Sequence, residues 1–154
     1  VVLRSDGDGP RVLGFGSRYD FEHMDTLGFD LDSLGFRIIL DPSIPQLIAT
    51  HIEGAVQALL DRHGVTRDQV RLWALHPGGS AILDRAGAAL GLDDRDLAPS
   101  RRVLRSHGNM SSPSVLFCLA EALRTHGEPD DGYGVMAAFG PGLGIEVALL
   151  GFGS

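Results

Sequence analysis

The sequence contains no lysine: its thirteen basic residues are all arginine, set against twenty aspartates and glutamates, for a formal charge of −7. That balance leaves no basic stripe to lie along a phosphate backbone, so no nucleic-acid partner is expected. There is one cysteine in 154 residues. A disulfide framework and a cysteine-rich metal centre are therefore both excluded, and the usage fits a reducing cytoplasm. No apolar run approaches the roughly 18–20 residues that cross a bilayer, and no charged-then-apolar leader opens the chain, so no membrane partner is expected. The six histidines (23, 51, 63, 76, 107 and 126) show no ligand pair at helical or finger spacing with a carboxylate partner, and no metal site is expected. His51 and His63, at opposite ends of one helix, read as solvated. A Gly-x-Ser-x-Gly nucleophile motif is also missing.

What is present describes a globular domain. Apolar residues make up 44% and charged ones 21%, enough for a real core. The length suits one domain, residues 1–154. The chain opens Val1-Val2-Leu3 without Met, which reads as a segment of a longer protein. Asp6-Gly7-Asp8-Gly9-Pro10 is a turn cluster. Residues 11–16 read as a short strand, 19–32 as loop, and the β-branched 36–40 as a second strand. Ile44, Leu47, Ile48, Ile52, Ala55, Val56, Leu59 and Leu60 recur at helical spacing, with Ser43 as N-cap, Pro45 in the first turn and Gly64 beyond the end. Residues 71–75 form a buried strand that runs into His76-Pro77-Gly78-Gly79, and a helix follows to Gly91. Residues 94–105 read as a short polar helix or turn. Ser112-Pro113 starts a helix to about His126 that is apolar nearly all round, so it should be buried on most sides. Strands 133–139 and 143–150, joined by Gly140-Pro141-Gly142, close the chain. The alternation implies an α/β fold, a mixed sheet covered by helices. Ligand sites in such sheets lie beyond the carboxyl ends of strands, where His76 stands.

Three stretches could carry chemistry. At His76-Pro77-Gly78-Gly79 the glycines allow close approach of a ligand to backbone, and the helix start offers free N–H groups. A neutral His there can donate to a developing negative oxygen while a neighbour orients its other nitrogen. The same tetrapeptide also suits a plain tight turn with a packing His. In Gly108-Asn109-Met110-Ser111-Ser112, the Asn109 amide can serve as a fixed donor, or Asn109 can simply adopt an unusual turn dihedral. Phe139-Gly140-Pro141-Gly142 is a rigid turn whose importance depends on what it leans against. Cys118, mid-helix among apolar neighbours, reads as packing with a raised pKa.

Together these three stretches resemble the carboxyl-terminal half of the type III polyketide synthases, the chalcone and stilbene synthase family, which has the thiolase fold. The resemblance covers essentially the whole chain and is strongest from Arg71 onward. The composition looks bacterial. The resemblance implies a thiolase-like C-terminal half whose catalytic residues are His76 and Asn109. The nucleophilic Cys belongs to an N-terminal half that is not in this chain. It further implies acyl-CoA and malonyl-CoA as substrates, no cofactor, a homodimer, and decarboxylative condensation on the Cys-bound starter. CoA contacts fall on Gly78, Gly79 and Ala81. Cavity-lining positions fall on Gly28, Phe36 (with Ile38 as the alternative gate), Ser111, Phe139, Gly140, Pro141 and Gly142. The chain alone should not condense anything. The helix after Ser112 and the strand ends near His76 should form an apolar patch that favours self-association. Two other readings stay open: an initiating 3-oxoacyl-carrier-protein synthase, and a non-catalytic thiolase-like scaffold.

Overall fold

The computed structural model describes residues 9–33 and 35–153; most of the turn expected at residues 6–10 lies outside them. Six strands and four α-helices follow in the order β1 (Arg11–Tyr19), β2 (Leu27–Asp32), β3 (Gly35–Leu40), α1 (Ile44–Arg62), β4 (Val70–Leu75), α2 (Ser80–Ala89), α3 (Asp94–His107), α4 (Pro113–His126), β5 (Gly132–Gly140) and β6 (Gly144–Phe152). A four-stranded mixed sheet runs β1-β6-β5-β4. Its β4–β5 pair is parallel and its other pairs are antiparallel.

Alternation along the strands sends side chains to two faces. On one face Ile145, Val147, Leu149, Val135, Ala137 and Leu75 meet α1 and α2 in the main core. On the other, Leu72, Leu150 and Phe152 meet Ala122 of α4. Helix α1 forms because its apolar residues fall on one stripe, which buries Ile44, Ile48, Ile52, Ala55, Val56, Leu59 and Leu60. Leu59 has no exposed surface. A Leu59→Ala substitution should cost about 2–5 kcal/mol, since the packed wall cannot collapse onto the lost volume. Urea denaturation should show a lower midpoint at an unchanged slope.

Several expectations need correcting. The first strand runs on to Tyr19. Residues 27–32 are not loop: they form β2, paired antiparallel with β3 as a separate two-stranded ribbon. The signal was there, because Leu27, Phe29 and Leu31 alternate with Gly28, Asp30 and Asp32. Pairing Leu27 with Leu40, Phe29 with Ile38 and Leu31 with Phe36 puts all six apolar side chains on one face. Five of them, all but Leu27, are exposed. The expected apolar patch is thus displaced: it lies on this ribbon, while His76 is buried and α4 exposes Phe117 alone among its large apolar side chains. Helix α4 is buried along a single line, Ser114, Cys118 and Ala122, not on most sides.

Residues 94–107 make a full four-turn helix, not a short one. Asp93 caps it by accepting the Asp96 N–H, and the Asp96 side chain accepts the Asp93 N–H in return. Neither expected serine cap forms: Ser43 and Ser112 occupy the N-cap positions without a capping hydrogen bond. At α1 the Asp41 carboxylate accepts the Ser43 N–H instead, at 2.8 Å. His51 is not solvated at a helix end. It sits within α1, 21% exposed, and its Nε2 and the His23 Nδ1 both meet one oxygen of Asp20, at 2.9 and 2.8 Å. His63 is exposed as expected and leans on Gly14, where an added Cβ would run into its imidazole.

Candidate functional site

Strand β4 is apolar because both sheet faces are covered around it, and it delivers His76 at its carboxyl end. The His76 N–H still bonds to the sheet, donating to the Ala137 carbonyl at 2.8 Å. Pro77 then ends the pairing, and Gly78 folds back so that its N–H donates to the His76 carbonyl at 3.0 Å. His76 is only 7% exposed. Burial holds its imidazole below the ordinary histidine value, so the ring is neutral at pH 7. The edge of the ring meets the Phe139 ring, with centroids 6.5 Å apart and planes at 72°. The rigid turn singled out in the sequence therefore leans, through Phe139, against the histidine.

Gly78 is where the two donors come together. A Cβ placed there would lie 3.6 Å from Cδ2 and 3.8 Å from Nε2 of His76, so the imidazole edge rests over this glycine. The Asn109 Nδ2 donates to the carbonyl of the same glycine at 3.4 Å. The other end of that carboxamide is fixed: Oδ1 accepts the Ser111 N–H at 2.9 Å. Asn109 is exposed, and its amide has a second N–H beyond the one held by Gly78. The unusual backbone belongs to Ser111 (φ +63°) and Gly108 (φ +70°), not to Asn109. Ser111 holds this left-handed backbone in the same turn in which its N–H donates to Asn109. The buried Ser114 steadies the same loop by accepting the Met110 N–H at 2.8 Å, a role the sequence alone did not show.

The remaining positions surround this junction. Gly79 and Ala81 lie at the entrance of α2, whose first turn carries no acidic residue, so its free N–H groups present positive charge to that side. A side chain on Gly79 would meet nothing within 4 Å. At Gly78 the same Cβ would press on Ile82 Cδ1 at 2.9 Å, beside His76. Gly78→Ala should push the flexible end of Ile82 aside and lower the melting temperature slightly, whereas Gly79→Ala should melt like the parent chain; thermal melting of the two variants reads this difference.

Beyond Phe139, the Gly142 N–H donates to the Leu27 carbonyl at 2.8 Å, tying the Gly140-Pro141-Gly142 turn to the base of the ribbon. Gly28 pairs with Ile39, and Phe36 pairs with Leu31, so positions 28 and 36 fall on opposite faces of the ribbon. Phe36 and Ile38 do share a face, with Phe29 and Leu31 across from them.

Comparison with known proteins gives consistent matches. The family described as chalcone and stilbene synthases, C-terminal domain, matches residues 22–152. A 1,3,6,8-tetrahydroxynaphthalene synthase of Streptomyces peucetius subsp. caesius is 42% identical over 159 residues, covering 97% of this chain and 41% of that protein. A 3,5-dihydroxyphenylacetyl-CoA synthase of Amycolatopsis balhimycina is 38% identical over 97% of this chain and 41% of its own length. Among solved structures, the 1,3,6,8-tetrahydroxynaphthalene synthase of Streptomyces coelicolor A3(2), a bacterial type III polyketide synthase, superposes with a TM-score of 0.88 at 28% identity. That match covers 97% of this chain and 42% of the other. The chain thus spans about two fifths of the length of these relatives.

Proposed function

Because the chain belongs to the chalcone and stilbene synthase family, whose C-terminal domain it matches from residue 22 to 152, we propose that it supplies the oxyanion-binding His and Asn of a decarboxylating, acyl-condensing polyketide synthase. The observation that carries this reading is the meeting of His76 and Asn109 at Gly78. Two N–H donors that both reach one glycine can stabilise charge on an oxygen held beside it.

The residues suit the steps. Malonyl-CoA lies with its CoA arm along Gly78, Gly79 and Ala81 and its thioester oxygen between the His76 and Asn109 N–H groups. The carboxylate leaves as CO2, and its electron pair moves onto the thioester carbonyl as an enolate. A neutral imidazole donates to that oxygen without a competing charge. The enolate carbon then attacks a starter acyl thioester on a cysteine of the N-terminal half; a C–C bond forms, the C–S bond breaks, and the thiolate departs. The ring N–H of His76 can then donate a hydrogen bond to that thiolate. The chemistry uses CoA thioesters alone and needs no metal or organic cofactor. Repeated addition of two-carbon units leaves oxygens on alternate carbons. The relatives' product names, with oxygens at positions 1, 3, 6 and 8 or 3 and 5, carry that pattern.

The ribbon's apolar face and the exposed Asn109 are the surfaces we assign to contact with the Cys-bearing half, in a homodimer working in the cytoplasm. The test joins this chain to such a half and follows CO2 release from malonyl-CoA and formation of a condensed product. Absence of both from a folded assembly would overturn the reading.

A further inference from the structure

Among the described residues β4 is an edge strand, with β5 as its sole neighbour in the sheet. Its N–H groups alternate between that neighbour and the open side. The His76 N–H, on the β5 side, goes to Ala137. The Leu75 N–H, on the open side and buried, has no strand to accept it. Ser100, 1% exposed on α3, fills the gap: its Oγ accepts the Leu75 N–H at 3.1 Å. Left unpaired, such a buried donor is costly, so the strand end is held wherever this hydroxyl stands. Pro99, with its fixed φ, precedes Ser100 within the helix and is buried with it.

The hydroxyl also neighbours a second element: it opposes the effect of burial on the Cys118 thiol of α4, which has no exposed surface. Cys118 belongs to a small core with Ala74 of β4 and Val103 of α3, and Met110 packs on it. Met110 follows Asn109 directly. A single buried hydroxyl therefore stands between the strand that presents His76 and the core that anchors the Asn109 loop.

We propose that Ser100 is a positioning residue: by clamping the Leu75 N–H from α3, it sets where His76 stands relative to Asn109. The consequence for turnover rests on the role proposed above for His76; the clamp itself does not. The experiment uses the 15N-labelled chain with Ser100→Ala and Ser100→Thr. Amide exchange at Leu75 and the titration of the His76 ring are followed by NMR. In Ser100→Ala, Leu75 exchange should accelerate roughly tenfold or more, and the His76 midpoint should rise toward the ordinary histidine value as water reaches the loosened ring. Ser100→Thr keeps the hydroxyl and should restore both. Should the alanine variant fail to fold, Ser100→Cys keeps the volume with a weak acceptor and should show the same two changes. A variant that melts earlier but leaves Leu75 exchange and the His76 midpoint unmoved overturns the proposal, as does failure of threonine to restore them. In the assembled synthase, Ser100→Ala should lower kcat at unchanged KM. NMR changes with turnover intact would uphold the clamp and count against the catalytic role of His76 instead.

Discussion

Replacing Asn109 by alanine should lower malonyl-CoA decarboxylation in the assembled synthase about 10²–10³-fold, the usual cost of one oxyanion donor. The size of the effect follows from how the amide is held. Its oxygen is fixed by Ser111 and one N–H by the Gly78 carbonyl, so in the proposed role the remaining N–H is held in place before substrate arrives and needs little reorganisation in the transition state. The loss should fall on kcat, because the oxygen carries little charge in the bound substrate. Stability should change little, since Asn109 is exposed. His76→Ala should cost at least as much, because it removes the second donor and empties a buried site against Phe139. The check is CO2 release under single-turnover conditions, with thermal melting to confirm the fold. A loss below about threefold for a folded Asn109→Ala protein is outside what a lost oxyanion donor gives and would remove the amide from the mechanism.

The chain by itself should form no condensation product from acyl-CoA and malonyl-CoA. Its single sulfur nucleophile is Cys118, a residue with no exposed surface whose thiol is pushed up to about 11 by burial. At neutral pH the thiolate fraction is then on the order of 10⁻⁴, and no acyl group can reach it. Mixing with a Cys-bearing N-terminal half should switch product formation from background to readily measurable turnover. Mass spectrometry of the product mixture reads the difference. Product from the chain alone would overturn the expectation.

How much of this could be read from the sequence depended on where the information resides. The helix at residues 44–62 was legible because a 3.6-residue stripe is a local pattern with a strong packing consequence. His76, Asn109 and the Phe139 turn were legible as separate motifs, each of which also fitted an ordinary turn. Their convergence was not legible, since it depends on Gly78 receiving both groups from segments thirty-one residues apart. The ribbon strand at residues 27–32 was missed because its apolar alternation faces outward and is interrupted by acidic residues, the usual mark of a loop. Ser100 was invisible for a different reason. A serine in an acidic, arginine-rich helix looks like surface, and only the edge position of β4 gives it an unpaired N–H to serve.

The pairing of β1 with β6 has one further consequence. Arg11 lies opposite Gly151, so the earliest and latest strands of the described chain are neighbours in the sheet. About 130 residues must be threaded into place before that seam can close, and contacts so remote in sequence slow the search for the native state. On the ribosome, β1 emerges well before β6, so this seam of the sheet can form only after the four strands and the helices between them have left the tunnel.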